Sequence, residues 1–215
     1  SSLTKPLPVE TWSCPVFHVT CEWELVYNDF YIGEDCDVTI VAGCGIHNDG
    51  ENTTSRHDGV HTFHVGKNAK VKYVEKHYGE GDGNGKNVMN PTTVIDLAED
   101  AYMEMESTQI KGVTSTIRDT SATIAAGATL IVREKIMTHG QQLAETNFKV
   151  DLNGEDSSAN VVSRSVAKDK SHQLFISNIN GNNRCNGHTE CDAIVMDDAT
   201  VSAVPKVNAN HVEAS

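Results

Sequence analysis

Phe63-His64-Val65-Gly66-Lys67-Asn68-Ala69-Lys70-Val71-Lys72-Tyr73 reads as a strand, a three-residue turn and a second strand. Apolar residues alternate on both arms, and a small residue, Ala69, stands where the chain resumes after the turn. Counting from such a small anchor, the pattern recurs at Cys36, Ala69, Ala101, Ala128, Ala159 and Ala199. Two positions on come Val38, Val71, Met103, Leu130, Val161 and Val201. Six and four positions back come pairs such as Phe30/Ile32, Ile95/Leu97, Ala122/Ile124 and Ala193/Val195. The Ala159 unit fits only with three residues inserted after Val150 and Leu152. Successive anchors lie 27 to 40 residues apart. One such unit cannot bury its inward face alone, so the units must stack. A β-sandwich satisfies the same alternation, but a parallel β-helix accounts better for one recurring pattern with little aromatic bulk.

The composition agrees. Hydrophobic residues make up 38% of the 215 and aromatics 6%, so the core is expected from Val, Ile, Ala, Leu and Met. Seventeen Lys and Arg against 30 Asp and Glu give a net charge of −13, which offers no electrostatic reason to bind nucleic acid or an anionic membrane. No stretch approaches the roughly 18 apolar residues of a membrane span. The first residues, Ser1 to Pro6, lack the apolar run of a signal peptide. A domain this long does not need disulfide staples, so the six cysteines (Cys14, Cys21, Cys36, Cys44, Cys185 and Cys191) are expected as thiols in a cytoplasmic protein. One domain is expected, residues 1–24 forming a lead-in and 25–215 the β-helix core.

The Gly-rich stretch from Gly79 to Lys86 is expected as a loop between units. It fails as a phosphate-binding loop, because Glu80 and Asn87 stand where Gly and Ser/Thr are required. Any nucleotide hydrolysis therefore falls to a partner. Cys185-Asn186-Gly187-His188-Thr189-Glu190-Cys191 concentrates two thiols and an imidazole. The spacing fits neither a structural zinc site nor a closed four-cysteine cluster site. An incomplete soft-ligand site remains, with thiols filling small core slots as the alternative. Glu104 and Glu106 share a strand face, and solvent exposure explains them more simply than a glycosidase pair.

Four segments in order then resemble the SufB/SufD family of iron–sulfur assembly scaffolds. They are Ile136-Met137-Thr138-His139-Gly140-Gln141-Gln142-Leu143-Ala144-Glu145-Thr146, Asp151-Leu152-Asn153-Gly154-Glu155-Asp156-Ser157-Ser158, Val162-Ser163-Arg164-Ser165-Val166-Ala167-Lys168 and Thr189-Glu190-Cys191-Asp192-Ala193-Ile194-Val195-Met196. Ala42-Gly43-Cys44 and Gly59-Val60-His61 look like it too, and the likeness, of archaeal type, runs from about residue 25 to the end. The resemblance implies an all-β, right-handed parallel β-helix and a homodimer or SufB/SufD heterodimer. It further implies a SufC-like ABC-type ATPase and sulfur donor proteins as partners, with a transient iron–sulfur cluster as cargo. It assigns the nascent cluster to Cys191, the candidate metal ligand, and sulfur acceptance to Cys44, expected partly exposed with a lowered pKa. Cys185 and His188 are secondary candidates. The family's His/Glu motif and its ATPase-docking helical segment are expected beyond Ser215. A secreted polysaccharide-acting β-helix enzyme and a purely structural dimerisation module are the competing readings. Thiol titration of denatured, unreduced protein is expected to return close to six thiols per chain, against nearly none for the secreted reading.

Overall fold

The computed structural model describes residues 23–81 and 84–215. Among them every regular element is a strand, and every strand pair is parallel. One sheet holds β1 (Trp23–Ile32), β3 (Thr54–Val65), the short β5 (Lys86–Met89) and β6 (Thr92–Leu97), β8 (Ser115–Ile124), β10 (Leu143–Leu152), β12 (His172–Gly181) and β14 (Thr200–Ala209). The facing sheet holds β2 (Asp37–His47), β4 (Lys70–Glu80), β7 (Tyr102–Gln109), β9 (Thr129–Thr138), β11 (Ser157–Ala167) and β13 (Cys185–Val195). The chain passes from one sheet to the other and back, making a parallel β-solenoid of about six turns. This is the β-helix expected from the repeat.

Each rung turns its first corner in the same way. The amides of Cys36, Ala69, Ala101, Ala128 and Ser157 each donate to the carbonyl three residues earlier, at 3.1 to 3.4 Å. The residue before each of them, Asp35, Asn68, Asp100, Gly127 or Asp156, has φ between 56° and 67°. Gly has no Cβ to clash there, and Asp and Asn tolerate this left-handed region better than other side chains. A small residue must follow, because it points inward where the two sheets converge. Register continues this column to Cys185, paired with Ser157.

Two anchors were therefore misphased. Ser157, not Ala159, occupies the corner, since the β10–β11 turn is one residue longer than the others rather than three. Ala159 still faces inward two residues later. Ala199 belongs to the opposite corner, where Gln142, Ser171 and Ala199 close turns on His139, Lys168 and Met196. There the left-handed residue, Gly140, Asp169 or Asp197, comes one position earlier in the turn. Ala193 and Val195 are exposed because no described rung stacks beyond β13. The Gly-rich loop is shorter than expected, Gly79 and Glu80 ending β4 and Lys86 opening β5. Of the lead-in expected over residues 1–24, Trp23 and Glu24 open β1, and residues 1–22, with Cys14 and Cys21, lie outside the described residues.

The core near the first corner is apolar, with Phe63, Val71, Leu97, Met103, Leu130, Val150 and Val161 all fully enclosed. Phe30 stacks on Phe63 with ring centroids 4.7 Å apart. Each such Leu, Val, Phe or Met stabilises the fold by about 1.5–3 kcal/mol. Ala101, 1% exposed, sits between Ala69 and Ala128 in the anchor column with no room to grow. Ala101→Leu is expected to cost about 1–3 kcal/mol by denaturant unfolding. The outward-facing Asn160→Ala should stay within about 0.5 kcal/mol.

Candidate functional site

The alternation of β13 separates the candidate ligands. Cys185 and Cys191 both point inward, but at about 3.3 Å per residue they stand about 20 Å apart, too far to hold one ion or cluster. His188 points outward, 3.3 Å from Glu190 Oε2. Cys185 continues the small-residue column, bridged in turn by Ala214, and packs into the apolar core. Cys191 is half-buried at the end of a different column.

That column is polar. Register aligns Ala42, Glu75, Ser107, Glu134, Ser163 and Cys191 across six strands. The next column begins with Cys44, His77 and Gln109. From the facing sheet, Arg118 reaches between the two carboxylates. Its Nη2 lies 3.7 Å from Glu75 Oε2 and its Nε 3.5 Å from Glu134 Oε2; it also donates to Ser107 Oγ. Tyr73 Oη donates to Glu75 Oε1 at 2.9 Å, and His77 Nε2 lies 3.2 Å from the same oxygen. His61 Nδ1 is 2.6 Å from Tyr73 Oη. Ser163 Oγ and Thr146 Oγ1 donate to Glu134 at 2.8 and 3.1 Å.

One guanidinium thus serves two carboxylates, and the two respond differently. Burial opposes ionisation of Glu75, but His77, Arg118 and His61 outweigh it and hold the carboxyl well below its usual range. Burial dominates at Glu134 and raises its pKa, with Arg118, Ser163 and Thr146 only partly offsetting the loss of water. Burial likewise raises the Cys191 thiol, and the negative charges of Glu134 and Asp192 add to it. At rest Cys191 therefore holds its proton.

Glu134, Ser163, Thr146, Gln173 and Cys191 line a cavity of about 10 Å³. This is too small to enclose a cluster. Among the described residues no three His, Cys, Asp or Glu side chains converge to hold a metal ion. Cys44 is 4% exposed, in a small buried cluster with Ile46, Met89 and Val113, rather than partly exposed as expected. Five rungs separate β2 from β13, about 24 Å at the usual strand spacing. Glu104 and Glu106 face outward as expected, beside Arg133 and Lys72 respectively.

The buried charges were missed in the sequence because Glu75 and Glu134 occupy inward positions usually filled by apolar residues. Arg118→Met removes the shared cation at similar length and should destabilise the fold by about 3–5 kcal/mol at neutral pH. Without Arg118, Glu134, whose pKa burial already raises, loses its main counter-charge and lies still further above its unfolded value, while His77 and His61 continue to face Glu75. Glu134 then opposes folding at high pH and is relieved as it protonates. The deficit measured by denaturant unfolding should therefore narrow between about pH 7 and about pH 5.

A family model described as the SufBD core domain of SUF-system FeS cluster assembly matches residues 28–215. An iron–sulfur cluster assembly SufBD family protein of Methanocaldococcus jannaschii is 27% identical over 187 residues, covering 86% of this chain and 57% of that protein. A Methanothermobacter thermautotrophicus protein of the same description is 26% identical, covering 88% of this chain and 46% of its own length. One from Archaeoglobus fulgidus is 22% identical, with 88% and 50% covered. The chain spans about half the length of these relatives. With the family model matching nearly the whole β-solenoid, the chain belongs to the SufBD core domain family.

Proposed function

We propose that this chain is the core of a cytoplasmic scaffold subunit on which iron–sulfur clusters are assembled, Cys191 holding the nascent cluster. The observation that carries this reading is the position of Cys191. It continues the inward polar column of Glu75, Ser107, Glu134 and Ser163 onto β13, half-buried and beside a buried carboxylate. Iron–sulfur clusters favour thiolate ligands over oxygen donors. A single half-buried thiol suits a cluster that is passed on, because it leaves coordination to be completed by groups from elsewhere.

Cys44 is the proposed sulfur acceptor. Its Sγ forms a bond to the terminal sulfur of a donor persulfide as the donor's S–S bond breaks and the donor leaves as a thiol. Its burial requires the donor to displace the cover of Ile46, Met89 and Val113. Energy for rearrangement comes from a SufC-like ABC-type ATPase, in keeping with the absence of a phosphate-binding loop signature in this sequence. The working unit is a homodimer or a SufB/SufD heterodimer. Cys185 and His188 take no direct part, one lying within the apolar column and the other facing solvent.

Cys191→Ser in the full-length protein with its partners is expected to abolish or strongly reduce the visible absorbance of an anaerobically assembled cluster, with little change in the thermal midpoint. Normal cluster content with a lowered midpoint would make Cys191 a packing residue and overturn the assignment.

A further inference from the structure

The outer surface of the sheet built from β2 to β13 carries a stripe that the cluster chemistry does not use. Register places Met137, Val166 and Ile194 in one outward column, with Ile110 alongside at the end of β7. Ile110, Met137 and Ile194 are 52, 42 and 63% exposed. They line an open groove of about 430 Å³. Lys135 and Arg164 stand in register along one flank, and the exposed Lys168 along the other. Asp192, 3.8 Å from Arg164, closes one end of the basic flank. Cations astride an apolar stripe contrast with a chain whose net charge is −13.

We propose that this stripe is a docking surface for an acidic amphipathic helix of a partner protein, lying along the solenoid axis. The stripe crosses the strands, so its apolar side chains repeat at the rung spacing of about 4.8 Å. An α-helix repeats a face every turn, about 5.4 Å, and keeps step over four rungs. Its apolar residues fill the groove while Asp or Glu on either side meet Lys135, Arg164 and Lys168, the helix-in-groove mode of recognition. The proposal stands independently of the role assigned to Cys191.

The probe is a fluorescein-labelled, end-capped peptide of about 14 residues, some 21 Å of helix, with Leu at helical spacing and Glu on both flanks. Fluorescence anisotropy with the full chain is expected to show saturable binding that weakens as salt rises. A peptide with Lys in place of Glu should bind at least about tenfold more weakly. Met137→Asp, and separately Lys135→Glu with Arg164→Glu, should each lower affinity by about tenfold or more while the circular dichroism spectrum stays unchanged. Absent saturable binding, or binding indifferent to salt and to these substitutions, overturns the proposal. So does sedimentation showing a self-associated chain that Met137→Asp converts to monomer, which assigns the face to a second copy.

Discussion

In-register parallel pairing is the constraint on which the rest of this molecule depends. Each rung repeats the inward and outward directions of the one below, so side chains line up in columns and a column takes its character as a whole. The Cys36–Ala69–Ala101–Ala128–Ser157–Cys185 column stays small because the corner leaves no space there. The Ala42–Glu75–Ser107–Glu134–Ser163–Cys191 column carries polar groups through the interior because each hydroxyl sits between carboxylates or beside one that it can satisfy. Arg118, reaching in from the other sheet, supplies the only full cation touching both glutamates among the described residues.

This arrangement gives Cys191 its chemical character. Burial and the negative charges of Glu134 and, from outside, Asp192 oppose loss of the thiol proton. A thiol in that field is a poor spontaneous nucleophile and keeps its proton until a cation or an electrophilic sulfur takes its place. Under the proposed role, the same field favours a metal ion beside Cys191. In the role proposed for it, a thiol that keeps its proton at rest fits temporary custody of a cluster better than permanent storage.

The fold was legible in the stretch from Phe63 to Tyr73 because two-residue alternation and a small residue after a turn are enough to define one rung. The phase was lost where local chemistry departed from that rule. Ser157 is polar and follows a turn one residue longer, so Ala159 stood in for it. Cys185 looked like a ligand because of Cys191 and His188 nearby, so Ala199 took its place in the series although it serves the other corner. The interior charges were hidden because alternation reads a Glu as outward-facing. They had a signal nonetheless: Glu75, Ser107, Glu134, Ser163 and Cys191 each lie six residues after a corner residue. What no sequence pattern carries is Arg118, whose side chain crosses from the opposite sheet and whose partners lie 16 and 43 residues away.

The most direct measurement uses a chain in which Cys191 is the only cysteine. The remaining cysteines become Ala, the residue that neighbouring rungs already use in the corner column. Anaerobic reconstitution with ferrous iron and sulfide, which bypasses Cys44, then asks whether this one thiol suffices on the protein side. The account predicts sulfur-to-iron charge-transfer absorption in that chain and its loss when Cys191 is alkylated beforehand. Absorption that is missing from the Cys191-only chain, yet present in a chain retaining every cysteine except Cys191, would contradict it.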